Sequence, residues 1–264
     1  MKLSNAFLRL PYEEAQMFFS QMPFMSIGFA AAILSLNMPR DVSPDPLQET
    51  ILAAMLPKQT TQYGCGYAVA AAMLNVLQTA ICLAEIQAGK PHMSWSMQRF
   101  QNDEDMARSY GKPPPISLSD IEALISGHGI DSAAFRISHM ALAGIIASTS
   151  MPVIFHIGGR FPHFVLAVDA RDNEILLFDP ASGLAVLSEN ELKNLSSGCC
   201  LVPERLPKMV QREAIGYEQY RRGLELLKVM LWEYAQKHDS TKAPMSTSSS
   251  KSSRCSGMLS IFLS

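Results

Sequence analysis

The chain has 264 residues and a mass of 29.0 kDa, enough for one large domain or two small ones. Apolar residues make up 48% and charged residues 17%, which excludes intrinsic disorder of the whole chain. With a net charge of −2, the chain lacks the overall basic charge that is typical of nucleic-acid-binding proteins. Its five cysteines are too few for a disulfide scaffold.

The first segment, residues 1–46, is predicted to be a signal-like or anchor-like apolar stretch followed by a linker. No charged residue occurs between Ala15 and Pro39. The alanines at 30–32 resemble the small residues of a signal-peptide cleavage site. This pattern favours export or association with a membrane through residues 17–38 over a cytoplasmic location. Glu13 and Glu14 are atypical of a signal sequence, so a buried amphipathic helix is the alternative.

The main domain is expected to span residues 47–206. Charge is absent from Gln59 to Ala84, and this stretch predicts a helix buried on nearly all sides, beginning after the turn at Gly64-Cys65-Gly66. Gly89 to Gly111 shows no clear period and is expected to be an irregular connection.

Further along, short apolar runs predict strands and two capping boxes predict helix starts. The capping boxes are expected at Ser119–Glu122 and at Ser188 with Glu191. Strands are expected over residues 130–137, 151–157, 163–168, 174–179 and 184–187. Helices followed by a meander of antiparallel strands indicate the α+β class.

The last part of the chain divides at His238. Residues 207–238 carry apolar side chains at helical spacing and predict an amphipathic helix. Residues 239–264 are dominated by serine and are expected to be a disordered tail.

Cys65 is the first candidate for chemistry, because it lies between two glycines where a loop becomes the long apolar helix. Unpaired N–H groups and the positive end of the dipole at a helix N-terminus would stabilise a thiolate and lower the thiol pKa. The flanking glycines would let a substrate approach the sulfur. A small buried residue at a tight helix start is the alternative interpretation.

His163 and Asp179 form a candidate pair on neighbouring strands. If Val168 pairs with Glu174 in an antiparallel hairpin, His163 lies directly opposite Asp179, within hydrogen-bonding reach. A slip of two residues would leave a diagonal contact, whereas a slip of one would separate the side chains to opposite faces. A histidine that accepts a thiol proton needs such a carboxylate to fix its tautomer.

Gln59, six residues before Cys65, is a candidate donor to the oxyanion that forms when a thiolate attacks a carbonyl. Gln62 is the competing choice. The Cys65 backbone N–H would be the second donor.

These residues carry a resemblance to a known family. The segments are QTTQYGCGYA at 59–68, PVIFH at 152–156, HFVL at 163–166 and DPASG at 179–183. Together they resemble the peptidase C39 family, papain-like cysteine peptidases that process bacteriocins and cleave double-glycine leader peptides. The resemblance implies a papain-like fold in which a buried helix carries the nucleophile and an antiparallel sheet carries His and Asp. It also implies Cys65 as nucleophile, His163 as base and acid, Asp179 as orienting carboxylate and Gln59 as oxyanion donor.

The sequence departs from the family pattern at several positions. Gly64 stands where the family often has an acidic residue, and Tyr67 and Val69 stand where small residues or a second cysteine are frequent. No P-loop motif occurs, so no ATP binding through this motif is expected, and the chain resembles stand-alone C39-like proteins without a transporter.

No cofactor or metal is expected, since the histidines and cysteines lack zinc-ligand spacing. Cys199, Cys200 and Cys255 could form a disulfide in an oxidising compartment, and the sequence does not choose among them.

The sequence thus predicts a thiol peptidase that acts on a peptide or protein substrate, with leader-peptide processing as one role. Two alternatives stay open: a non-catalytic C39-like domain that binds peptides, and another papain-like amide hydrolase or acyl transferase.

Overall fold

The computed structural model describes residues 52, 55–87, 102–136, 142–149, 151–159, 162–203 and 216–238. The helices are α1 (Cys65–Gln87), α2 (Asp103–Tyr110), α3 (Leu118–Gly127), α4 (Leu142–Ser148), α5 (Glu189–Leu195) and α6 (Tyr217–His238). The strands are β1 (Ser132–Arg136), β2 (Val153–Ile157), β3 (His163–Arg171), β4 (Glu174–Asp179), β5 (Gly183–Ser188) and β6 (Ser196–Pro203).

The six strands form one antiparallel sheet in the order β1-β6-β2-β3-β4-β5. The predicted α+β class is confirmed, as is the arrangement in which a buried helix packs on a sheet carrying the His and the Asp. Strand β6 is absent from the predicted strands, because its sequence SSGCCLVP begins with small polar residues and shows no clean alternation. It lies between β1 and β2 and so connects the first strand to the meander.

Helix α1 is the centre of the core, as the absence of charge predicts. Between Tyr67 and Ala84, the side chains whose exposure the structure describes are almost wholly shielded from solvent, and those of Tyr67, Met73 and Leu77 are all at 0% exposure. The amphipathic helix α6 packs against α1 at close range. A Cβ at Gly223 would overlap the carbonyl oxygen of Ala80, so only glycine permits this crossing.

The sheet has apolar side chains on both faces. One face packs on α1 and α6 through residues such as Leu166 and Phe178, and the other packs on α4 and α5 through residues such as Val165 and Leu177. This arrangement fixes the start of α1 against one end of the sheet.

The β3–β4 hairpin has a different register from the predicted one. Asp172 and Asn173 have φ values of 48° and 66°, as a two-residue type I′ turn requires, and Arg171 therefore pairs with Glu174. The predicted pairing of Val168 with Glu174 is wrong, since it assumes that the charged residues from Asp169 onward belong to the turn. The register shifts once more at a bulge between Ala167 and Asp169.

Two helix starts also differ from the predictions. Ser117 caps α3 and Asp120 completes its capping box, two residues before the predicted start at Ser119. Helix α2 lies within the stretch predicted to be an irregular connection, and it is capped by Asn102 and ended by Gly111 in the left-handed region. The capping box of Ser188 with Glu191 is confirmed at α5.

The predicted signal or anchor segment, including residues 17–38, and the predicted serine-rich tail both lie outside the described residues. Within the described ranges, none of the helices combines the length and apolarity that crossing a bilayer requires.

Candidate active site

The start of α1 lies beside the start of β3 and the end of β4. The backbone N–H of Phe164, the residue after His163, and the carboxylate of Asp179 both lie close enough to the Cys65 thiol to affect its pKa. The fold therefore brings the helix start at Cys65 next to β3 and to Asp179, although these residues lie far apart in the sequence.

His163 and Asp179 are in contact although the predicted register is wrong. The distance from His163 Nε2 to Asp179 Oδ2 is 3.4 Å. Continuing the Leu166–Phe178 pairing by one step places Asp179 opposite Val165, so His163 is its diagonal neighbour on the same face. The register differs from the predicted one by two residues here, and this even shift preserves the pair.

Asp179 is held as a carboxylate. Burial alone would raise its pKa, but the neighbouring His163 side chain, together with Ala181 and Ser182, outweighs burial and holds the pKa below its ordinary value. The Ala181 N–H donates to Oδ1 at 2.8 Å, which fixes the carboxylate within its own turn.

The thiol pKa of Cys65 is raised, contrary to the prediction from the helix N-terminus. Burial is the largest cause, and the Asp179 charge raises the pKa as well. The backbone N–H groups of Phe164 and Gly66 lower it without compensating. Desolvation destabilises the thiolate more than the helix N-terminus stabilises it. A raised pKa means that the resting sulfur is a neutral thiol near pH 7.

We expect the alkylation of Cys65 by iodoacetamide to accelerate steeply between about pH 6 and pH 8, because only the thiolate reacts and its fraction grows about tenfold per pH unit below the pKa. Mass spectrometry of the modified peptide measures the rate. Cys200 is the internal control, since burial raises its pKa to about 11 and it should label far more slowly. A rate that is level over this range would contradict a neutral resting thiol.

Gln59 is joined to the site through its backbone. Its backbone N–H donates to the carbonyl oxygen of Pro180 at 3.0 Å, which ties the segment before Cys65 to the turn that follows Asp179. Gln59 is half-buried whereas the competing Gln62 is exposed. The role of either glutamine at the reacting atoms stays a prediction.

The two glycines beside Cys65 make room for protein side chains. A Cβ at Gly64 would overlap Asp103 Oδ2, and a Cβ at Gly66 would lie 2.6 Å from Ile116 Cγ1. Packing therefore restricts both positions to glycine, and the approach of a substrate to the sulfur stays a prediction.

Asp103 is a residue of this site that the functional motifs do not identify. It is 1% exposed and accepts hydrogen bonds from Thr60 and Thr61, in the segment before the nucleophile. A signal is available: Asn102 followed by three acidic residues is typical of a capped helix start. The contact itself joins residues more than 40 positions apart, and no local pattern indicates it.

Cys65, Cys199 and Cys200 are free thiols, and Cys255 lies outside the described residues. In the part of the chain that the structure describes, no group of three or more His, Cys, Asp or Glu side chains is arranged to hold a metal ion.

Comparison with known proteins gives a family and a set of solved structures. Residues 109–208 match the model of the Peptidase C39 family, a range that includes His163 and Asp179 and begins after Cys65. No curated protein matches the chain.

Among solved structures, the peptidase domain of Streptococcus mutans ComA is 15% identical, with 57% of this chain and 99% of that chain covered and a TM-score of 0.40. A double glycine motif protease from an AMS/PCAT transporter, solved in complex with the leader peptide, is 17% identical, with 56% of this chain and 91% of that chain covered and a TM-score of 0.37. The resemblance to the Peptidase C39 family drawn from the sequence is confirmed by the match of residues 109–208 to the model of that family.

Proposed function

We propose that this protein is a cysteine peptidase of C39 type that hydrolyses a peptide bond through Cys65, His163 and Asp179. The observation that carries the proposal is the contact of His163 with Asp179 beside the helix start that bears Cys65. A half-buried carboxylate beside an imidazole, close to a thiol, is the set of groups that nucleophilic catalysis by cysteine requires.

The raised thiol pKa gives His163 a definite role. Since the resting sulfur is neutral, the imidazole would take the thiol proton as Sγ bonds to the carbonyl carbon, forming a tetrahedral oxyanion. The protonated imidazole would then give that proton to the leaving nitrogen as the C–N bond breaks, leaving a thioester. Water, deprotonated by the same imidazole, would cleave the thioester and release the acid and the thiol.

Asp179 and Gln59 would support these steps. The Asp179 carboxylate faces Nε2 and would fix the ring so that Nδ1 is the nitrogen directed at the proton in transit. Gln59 and the Cys65 N–H would donate to the oxyanion, the charge that develops in the transition state.

The family match supports a peptide as the substrate, and the leader peptide that ends in a double glycine is the specific candidate. A glycine pair has no side chains to exclude from a crowded site, and the two residues beside Cys65 already pack against Asp103 and Ile116.

Peptide hydrolysis by the full chain tests the proposal. Peptides with and without a double-glycine site are incubated with the wild type, Cys65→Ala and Cys199→Ala, and the products are identified by mass. We expect cleavage by the wild type and by Cys199→Ala, and none above background with Cys65→Ala. Peptide binding without cleavage would support the non-catalytic alternative, and amide transfer without hydrolysis would support an acyl transferase.

A further inference from the structure

The segment immediately before the nucleophile, residues 59–64, is held by a distant helix, and most of its hydrogen bonds to that helix go to one carboxylate. Asp103, the first residue of α2, accepts from Thr60 N–H and Oγ1 at 2.7 Å each through Oδ1. Its Oδ2 accepts from Thr61 N–H at 3.2 Å and from Thr61 Oγ1 at 2.7 Å. We call residues 59–64 the nucleophile loop.

The carboxylate is buried and ionised. Burial alone would raise the pKa of Asp103, but the hydrogen bonds from Thr61 and Thr60 outweigh it and hold the pKa below the ordinary value. Bonds from neutral donors to a charged acceptor are about twice as strong as neutral pairs, so four of them restrain the loop firmly.

The loop is fastened at three points, and Asp103 lies at the middle one. Gln59 is bonded to Pro180, next to Asp179, and the Gly64 carbonyl accepts from the Ala68 N–H in the first turn of α1 at 2.9 Å. Between them, Asp103 Oδ2 fills the space where a Cβ at Gly64 would lie. Movement of this carboxylate would therefore change the position of Gln59 relative to Cys65.

We infer that Asp103 is a positioning residue for the peptidase reaction, setting the distance between the oxyanion donor Gln59 and the sulfur of Cys65 through the nucleophile loop. This inference rests on the proposed function. Asp103 packs against Gly64 and would act on the reaction only through the nucleophile loop. Its removal should therefore lower kcat and leave KM nearly unchanged. Displacement of a catalytic group by about 1 Å costs about 100-fold in rate.

The experiment compares Asp103→Asn and Asp103→Ala with Asp105→Asn in the full-length protein. Asp105 is a matched control, since it belongs to the same helix and its side chain pairs with Arg108 at the surface. Thr61→Val is the second variant, because it removes one hydroxyl donor and leaves the carboxylate in place. Thermal unfolding establishes that each variant is folded at the assay temperature.

Three readouts are taken: kcat and KM for the cleaved peptide, the alkylation rate of Cys65, and hydrogen exchange of the Thr60 and Thr61 amides. We expect Asp103→Ala to lower kcat about 100-fold, and Asp103→Asn about tenfold because one acceptor oxygen remains. The amides of Thr60 and Thr61 should exchange faster in both Asp103 variants, while the amides in the core of α1 stay protected from exchange. The kcat of Asp105→Asn should match that of the wild type. The kcat of Thr61→Val should lie between those of the wild type and Asp103→Asn.

Faster exchange of both amides with kcat and the Cys65 alkylation rate unchanged would overturn the inference, since Asp103 would then hold the loop without affecting the reaction. A rise in KM at constant kcat would overturn it as well. If the wild type cleaves no peptide, the proposed function fails on its own evidence. The inference is then judged by alkylation alone: a changed rate in both Asp103 variants supports loop positioning, and an unchanged rate overturns it.

Discussion

Replacing His163 with alanine is expected to lower kcat for peptide hydrolysis by about 10⁴-fold, with little change in KM. In the proposed reaction the neutral resting thiol would make this residue essential: without the imidazole, the proton on Cys65 would have no acceptor as the sulfur attacks, and the leaving nitrogen would have no donor. Steady-state kinetics with the cleaved peptide measure the effect.

The matched control is His128→Ala. His128 follows α3 at its C-terminal end and has no role in the proposed reaction, so its replacement should leave kcat within about twofold of the wild type. Asp179→Ala should lie between the two, about 100-fold below the wild type, since the imidazole stays but loses the carboxylate 3.4 Å from Nε2. A His163→Ala variant as active as His128→Ala would remove His163 from the mechanism.

Replacing Asp169 with alanine is expected to lower the free energy of unfolding by about 3–5 kcal/mol. Asp169 is 6% exposed, accepts from Trp232 Nε1 at 2.9 Å and lies 3.3 Å from the ammonium of Lys228, which is itself 5% exposed. Removing the carboxylate would leave that buried ammonium with Glu225 as its remaining partner among the described ion pairs. The loss should appear in urea unfolding as a lower midpoint at constant slope.

The β3 bulge explains why a charge is buried there. Leu166 and Val168 face α1, and in a regular strand Asp169 would face away from it. The extra residue between the two pairing registers turns Asp169 toward α6 and its Trp232, while Ala170 packs on the opposite face. The bulge thus aims one carboxylate at the helix that covers α1.

Two variants separate a buried charge from general damage to the fold. Asp169→Asn combined with Lys228→Met removes both charges and keeps an acceptor for Trp232, so it should be more stable than Asp169→Ala. Arg221→Ala breaks an exposed pair on the same helix, with Glu218, and should cost less than about 1 kcal/mol. Equal losses in all three would contradict the explanation.

The hairpin that carries His163 and Asp179 shows how far the sequence determines the site. The bounds of β4 follow from its apolar run and agree with the structure from Glu174 to Asp179. The register does not follow from such a run, because a positive-φ turn and a bulge set it, and both depend on how the strand meets its neighbours. The predicted pair is nonetheless in contact because the shift is even.

The departure at Gly64 from the pattern of the family has a physical reason that only the fold reveals. The carboxylate of Asp103 occupies the volume that a side chain at 64 would need. The sequence shows that position 64 has no acidic side chain. That the carboxylate of Asp103 in α2 lies at this point instead depends on tertiary packing.

By itself, the sequence determined the elements whose signals are local: the buried helix that follows the turn at Gly64, the capping box of Ser188, the bounds of β4 and the α+β order. Charge patterning and capping act over a few residues, so they can be read along the chain. The tertiary structure alone decided the placement of β6, the hydrogen bonds of Asp103 to the nucleophile loop and the raised pKa of Cys65. Each of these depends on which distant groups meet and how much water they exclude, and that is settled only when the core is packed.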